Sequence, residues 1–231
     1  MKHAEIETLA QDITVVIPTL DTAETLADAL RTLSDVREVL IVDGGSTDAT
    51  RDIANRHGAR IVTAEKGRGL QLAAGAARAN GEWLLFLHAD TQLEPGWKAA
   101  VGSFIADPTN KRRAATFRFL LDDETPQARR LERIVAWRVR NFSLPYGDQG
   151  LLIHRSLYAE VGGYPSWPVM EDVDLVRRIG RQRLVTLPAA VRTSAARWRR
   201  EGWIARSGRN VLCLGLYYLR VSPRLIARIY G

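Results

Sequence analysis

Four short apolar runs, each ending in a turn that leads into helical periodicity, constrain this chain more than any other feature. Ile13-Thr14-Val15-Val16-Ile17 is β-branched and ended by Pro18, which reads as a first strand. Asp21 and Glu24 then resemble a capping box, and Leu26, Leu30 and Leu33 recur at helical spacing. Val39-Leu40-Ile41-Val42 reads as a second strand with Asp43 at its end. Gly44-Gly45-Ser46-Thr47-Asp48 turns the chain into a helix that stops near Gly58. Arg60 to Thr63 reads as a third strand, followed by the basic glycine loop Lys66-Gly67-Arg68-Gly69 and an alanine-rich helix to Gly81. The fourth run, Trp83 to Leu87, is apolar throughout, as a strand buried on both faces requires. Strand and helix alternating at this pace predict a parallel sheet covered on both faces.

The fourth run stops at His88 and Asp90. Alternation along a strand would send both side chains to one side, and open parallel sheets bind ligands beyond the carboxyl ends of their strands. Asp90 is therefore either a metal-binding acid beside a phosphorylated substrate or a cap for the next turn, since Leu93-Glu94-Pro95 reads as a helix start. Asp43 ends a second strand of the same sheet, and the Lys66–Gly69 loop belongs to the same edge. Two carboxylates and two cations in one crevice suit a nucleotide diphosphate held through Mg2+ or Mn2+, hard ions that take carboxylate and phosphate oxygens. The plainer readings are a turn residue for Asp43 and solvated side chains for Lys66 and Arg68.

After Pro108 the rhythm changes. Ala115 to Leu120 reads as a strand and Ala128 to Arg140 as an amphipathic helix carrying Ile134, Val135 and Val139. Gly147-Asp148-Gln149-Gly150 precedes a strand through Leu151-Leu152-Ile153 and a short helix ended by Gly162-Gly163. Met170 to Leu175 opens another helix, with acids favourably placed against its N-terminal dipole. Neither an internal repeat nor a low-complexity linker divides the chain.

Several function classes are disfavoured. The first strand-to-helix loop, Pro18-Thr19-Leu20-Asp21, lacks the glycines of a dinucleotide fingerprint, and no Walker-type phosphate loop occurs. The formal charge of +7 is concentrated between Arg192 and Gly231, which hold nine arginines and one acid, Glu201. A cationic tail on a nearly neutral body, without a zinc-finger, homeodomain or RNA-recognition signature, does not describe a nucleic-acid-binding protein. One cysteine, Cys213, excludes an internal disulfide and fits a reducing cytoplasm. The N-terminus carries early acids and no apolar core, unlike a secretory signal. The longest apolar run, Val211 to Leu219, has nine residues, too few to span a bilayer.

Ile17-Pro18-Thr19, Val42 through Asp48, the Lys66–Gly69 loop, His88-Ala89-Asp90, Gly162-Gly163-Tyr164-Pro165 and Glu171-Asp172 fall in the order seen in family 2 glycosyltransferases. The chain resembles a small, soluble, non-processive member of that family from about Ile13 to Leu187. The resemblance implies an α/β GT-A fold: a Rossmann-like, mostly parallel sheet with helices on both faces and a fused, smaller acceptor-side half. Within a single domain, residues 12–107 would bind the nucleotide sugar, 108–195 would form the acceptor and catalytic half, and 196–231 a basic helical tail. It implies an inverting transferase moving a sugar from a nucleotide-diphosphate donor to the hydroxyl of a glycan or lipid-linked acceptor, with Mn2+ or Mg2+. Asp43 then matches the carboxylate that contacts the base, and Lys66 and Arg68 line the same subsite, with Pro18, Thr19, His88 and Ala89 as further donor contacts. Asp90 matches the metal ligand, and Asp172 the catalytic base, with Glu171 as the alternative. Asp148 and Gln149 fall on the acceptor side.

Two departures stand out. His88 replaces the first acid of the family's Asp-x-Asp motif, leaving it as ligand, ribose contact or packing residue. Processive members carry Gln-x-x-Arg-Trp, whereas Ser194 here precedes Ala195-Ala196-Arg197-Trp198. Arg197 and Trp198 remain candidates for leaving-group or acceptor contact. The His88 substitution also supports a competing reading, a non-catalytic nucleotide-sugar sensor or scaffold of the same fold. In the tail, Ser222-Pro223 reads as a helix stop and a new start. The two helices it joins would pack on the body, form a homodimer contact, or lie at the inner face of an anionic membrane.

Overall fold

The computed structural model describes residues 12–230; the N-terminal stretch read as unlike a secretory signal lies outside the described residues. The chain order is β1 (Ile13–Thr19), α1 (Ala23–Arg31), β2 (Glu38–Asp43), α2 (Thr50–Arg56), β3 (Arg60–Thr63), α3 (Arg68–Arg78) and β4 (Trp83–Phe86). Then come β5 (Thr91–Leu93), α4 (Trp97–Ile105), β6 (Ala114–Leu121), α5 (Pro126–Phe142), β7 (Leu151–His154), α6 (Arg155–Glu160) and α7 (Glu171–Ile179). The chain finishes with β8 (Leu184–Thr193), α8 (Ala196–Glu201), α9 (Trp203–Tyr218) and α10 (Pro223–Tyr230).

The eight strands form one sheet in the order β3-β2-β1-β4-β7-β6-β8-β5. The first four are mutually parallel, as the strand–helix rhythm predicts. Beyond β4 the sheet is mixed, because β7 runs antiparallel to both β4 and β6 while β8 returns parallel to β6. Strand alternation sorts the core into two layers. Ile13, Val15 and Ile17 of β1 join Trp83 and Leu85 of β4 on one face, packed against Leu26, Leu30, Trp97 and Phe104. Val16 and the intervening residues Leu84 and Phe86 point the other way, against Leu72, Ala76, Leu157 and Leu175. Apolar side chains buried on both faces explain the uninterrupted character of these runs.

Two local expectations change, and one strand is added. Asp21 does not cap α1: it holds φ +50° and accepts from the Thr47 backbone N–H at 2.8 Å. The helix start is served instead by Asp48, which accepts from Ala23 N–H at 3.0 Å. The helix after Leu93-Glu94-Pro95 begins only at Trp97, behind Gly96 at φ +89°. β8, a strand not expected from the sequence, carries Pro188, and its pairing with β6 slips between Thr116 and Arg118. The proline, which has no N–H to donate, sits in that irregularity.

The cationic tail packs on the body. Cys213, Tyr217 and Ile226 are buried with Val169, Met170, Val173 and Val176. The Tyr217 hydroxyl donates to Asp174 Oδ1 at 3.1 Å and accepts from Arg177 Nη1 at 3.1 Å. Leu214 and Leu216 join that cluster, whereas Leu212 and Leu219 stay exposed. Among the described residues no helix is long and apolar enough to cross a membrane.

α3 lies close on the sheet through Gly75, where an added Cβ would come within 2.3 Å of Val16 Cγ1 and 2.8 Å of Val42 Cγ2. Both valines are fully buried and stiff at χ1. Alanine gains about 1 kcal/mol of helix propensity over glycine, but overpacking a tight core costs about 1–3 kcal/mol or more. Gly75→Ala is expected to lower the thermal midpoint by several degrees, readable by circular dichroism; a raised midpoint would show that the helix can lift off freely.

Candidate active site

β1 leads on one side to β2 and β3, while β4 lies on its other side, so the crevice beyond the carboxyl ends of β1 and β4 is the topological switch point of the sheet. An open cavity, about 740 Å3 when the part open to solvent is counted, is lined among others by Arg68, His88, Asp90, Asp148 and Asp172. β4 ends at Phe86, so strand alternation does not carry His88 and Asp90 to a common side. A turn does it: Thr91 N–H donates to the His88 carbonyl at 3.2 Å. Ser194 N–H then holds the Asp90 carbonyl at 3.2 Å.

Asp172 comes from the first turn of α7, which starts behind Met170 in a left-handed conformation at φ +65°. Its Oδ2 accepts from Gly147 N–H at 2.6 Å and its Oδ1 from Val173 N–H at 2.8 Å. Gly147 is pressed between the two site residues, because a Cβ there would lie 2.7 Å from His88 Nε2 and 3.2 Å from Asp172 Oδ2. Burial pushes the His88 imidazole down to about 4, helped by Arg68 and Arg197 and opposed by Asp90 and Asp172. His88 is thereby neutral at neutral pH. Burial also pushes the Asp148 carboxyl up to about 6, against the pull of Arg138.

Glu171 stands apart from its neighbour. It is 0% exposed and forms a two-pronged ion pair with Arg68, the second prong from Nη2 to Oε2 at 3.3 Å. Burial outweighs the guanidinium and pushes its carboxyl up to about 7. Glu171 is absent from the walls of the open cavity and lines a small adjoining void.

Of the two carboxylates and two cations expected in one crevice, the cavity takes Arg68 and Asp90. Asp43 is fully buried and accepts from Gly45 and Ser46 N–H at 3.2 and 3.1 Å, from the Ser46 hydroxyl at 2.5 Å and from Thr19 Oγ1 at 3.2 Å. Burial opposes its ionisation, but these donors together hold its carboxyl below the usual range. Lys66 is exposed and, like Pro18 and Thr19, outside the cavity walls. Ala89 packs in the core. Of the two residues expected on the acceptor side, Asp148 lines the cavity, while Gln149 spends its amide on the Phe117 carbonyl at 3.1 Å.

Arg197 and Trp198 line the cavity, and with them Tyr146, Thr193, Arg206, Asn210 and Tyr230. These five carried no sequence signal. Thr193 bonds Thr91 Oγ1 at 2.9 Å and donates to the Asp148 carbonyl at 3.1 Å. Among the described residues no three His, Cys, Asp or Glu side chains are grouped to hold a metal ion by themselves.

Removing one partner of a buried ion pair costs about 3–5 kcal/mol, whereas replacing both by apolar groups is often nearly neutral. Arg68→Ala is therefore expected to destabilise by about that amount in urea unfolding, and Arg68→Met with Glu171→Leu by much less. Equal losses in the two variants would show that the pair does not join the halves.

The glycosyl transferase family 2 model matches residues 14–154. A PGL/p-HBAD biosynthesis glycosyltransferase of Mycobacterium tuberculosis is 39% identical over 106 residues, 40% of this chain and 41% of that protein. An uncharacterized glycosyltransferase of the same species is 34% identical over 85 residues, 36% of this chain and 39% of its own length. The matched stretch thus spans less than half of each of these relatives. Among solved structures, the glucosyl-3-phosphoglycerate synthase of M. tuberculosis in complex with Mn2+, UDP and glucosyl-3-phosphoglycerate superposes with a TM-score of 0.59 at 19% identity, over 84% of this chain and 75% of that one. That likeness concerns the fold, and it agrees with the GT-A architecture expected from the sequence. With the family model covering more than half of its length, the chain belongs to glycosyl transferase family 2.

Proposed function

We propose that this protein is an inverting glycosyltransferase that uses a nucleotide-diphosphate sugar and a divalent cation, with Asp172 as its base. The observation that carries the reading is the meeting of Asp90 and Asp172, from opposite halves of the sequence, in one open cavity. Their supports are independent, one a strand-end turn and the other a helix N-terminus, so each acid is held for its own task.

The donor set suits Mg2+ or Mn2+ bound together with substrate. Such ions are held by one or two carboxylates plus substrate phosphates, and Asp90 beside a neutral His88 supplies that much and no more. A cation on Asp90 would neutralise charge building on the departing diphosphate. The M. tuberculosis glucosyl-3-phosphoglycerate synthase of like fold was solved with UDP, with UDP-glucose and with Mn2+ or Mg2+, which makes uridine diphosphate sugars the first donors to screen.

Asp172 takes the proton of the acceptor hydroxyl as that oxygen attacks the anomeric carbon, on the face opposite the leaving diphosphate. The Gly147 and Val173 amides donate into the carboxylate and fix its direction. Glu171, fully buried on Arg68 and outside the open cavity, supports the role of a strut in place of a base. Arg197, exposed on the cavity wall and without an ion-pair partner among the described residues, adds positive charge for the leaving group. A non-catalytic sensor would draw support from the missing first acid at His88; cation-dependent consumption of the donor separates the two.

Asp172→Asn is expected to cut transfer by about 100-fold or more while calorimetry still reads UDP binding with Mn2+. Normal transfer by this variant would move the base elsewhere. Gly147→Ala, whose methyl would press on His88 and Asp172, is expected to lose about tenfold or more in kcat through misplacement with its thermal midpoint little changed. Full activity would show that the site tolerates the shift.

A further inference from the structure

Seven buried side-chain polar atoms among the described residues have no hydrogen-bond partner, and four belong to residues lining this one cavity: Asp148 Oδ1, Trp198 Nε1, Arg206 Nε and Asn210 Oδ1. Buried polar groups are nearly always paired, so orphans gathered around one space point to a partner that occupies it. Three of the four come from α8 and α9. Arg206 and Asn210 fall in no motif.

Arg206 is the centre of this wall. It is only 4% exposed, and a guanidinium so buried is ordinarily paired. Its Nη1 reaches Glu201 Oε2 and the Tyr230 carbonyl at 3.4 Å each, long for either bond. Glu201 is also shared, with Arg209 at 2.7 Å and Arg200 at 3.3 Å. One carboxylate thus serves three guanidiniums. The Tyr230 ring, with its centroid 4.4 Å from Arg206 Cζ, explains how the side chain is packed. It does not give Nε an acceptor.

In the same cavity the Trp198 indole, 9% exposed and stacked on Trp203 with centroids 6.5 Å apart, offers an N–H that can only donate. On the wall built by α8 and α9, two fixed donors, one carrying a full positive charge, and the amide oxygen of Asn210 define the complement, an anionic oxygen group close to a hydroxyl; the fourth orphan, Asp148 Oδ1, belongs to the segment before β7 and can accept from a hydroxyl of the same occupant.

We propose that α8 and α9 form an acceptor subsite that binds a phosphate or carboxylate of the acceptor through Arg206 Nε and Trp198 Nε1, with Asn210 taking a hydroxyl of the same molecule. The assignment of this anion to the acceptor rests on the glycosyltransferase reading; the anion site itself does not. Selection follows from charge, since a neutral alcohol would leave both donors unpaired in the closed complex.

The test is calorimetric titration of methyl phosphate, and separately of acetate, into the full chain saturated with UDP and Mg2+, at constant ionic strength. Binding of one or both is expected, and the tighter of the two names the group. Arg206→Gln and Trp198→Phe are each expected to weaken it about tenfold or more, the loss of one charge-assisted or buried hydrogen bond, while UDP binding is retained. Trp198→Phe keeps the ring packing and carries the test should Arg206→Gln fail to fold. Asp90→Asn is expected to do the reverse, losing UDP with Mg2+ and keeping the anion. The proposal is overturned if neither anion binds, if the two variants bind like the parent, or if the anion displaces UDP, which would assign these donors to the diphosphate. If UDP does not bind at all, the donor reading fails, and anion titration without UDP still decides the subsite by its dependence on Arg206 and Trp198.

Discussion

The ion pair between Arg68 and Glu171 is the constraint on which the rest of the site depends. It ties the first residue of α3, in the doubly wound half, to the first residue of α7, in the later half, across 103 positions of sequence. Gly69 N–H adds a bond to the Trp167 carbonyl at 3.1 Å, and an added Cβ at Gly69 would sit 2.1 Å from the Pro165 carbonyl oxygen. The two segments therefore approach backbone to backbone. Because Asp172 follows Glu171 directly, this clasp sets where Asp172 stands relative to Asp90. The buried pair is costly to assemble and costlier to break singly, which suits a joint whose value is position.

Charge in the cavity is divided by wall. The acids Asp90, Asp148 and Asp172 come from the loops and helix ends around the sheet, and of the cations Arg197 and Arg206 come from the tail helices, while Arg68, at the start of α3, stands on the acidic side. His88 lies between Arg68, Arg197, Asp90 and Asp172, and burial keeps it uncharged. The cationic tail that looks from composition like a surface for an anionic partner turns part of its charge inward. Its outward face keeps Ile204, Val211, Leu212, Leu219, Leu225 and Ile229 exposed.

Much of the fold was legible because its signals are local. The β-branched and apolar runs of β1, β2 and β4 and the leucines of α1 declare their own conformation, and alternating burial follows from the pleat. The break at Ser222-Pro223 likewise marks the joint between α9 and α10. β8 was hidden by Pro188, whose effect is absorbed in a register slip visible only once β6 is alongside. Asp21 looked like a cap because Glu24 follows it; the actual donor and acceptor belong to a loop about 26 residues later.

The site divides in the same way. His88, Asp90, Asp172 and Arg68 stood out since each sits at a strand end, a helix start or a glycine loop, where chain geometry exposes polar groups. What sequence alone determined was the four parallel strands with β6 and β7, and the two-faced burial of the central ones, consequences of periodicities of two and 3.6 residues. The tertiary structure decided which of the two adjacent acids faces the cavity and which is buried on an arginine. It also decided that Arg206, Asn210 and Tyr230 meet residues more than a hundred positions earlier. The physical reason is that such meetings depend on how whole helices dock through their apolar faces, and no local spacing records which polar side chain is carried inward with them.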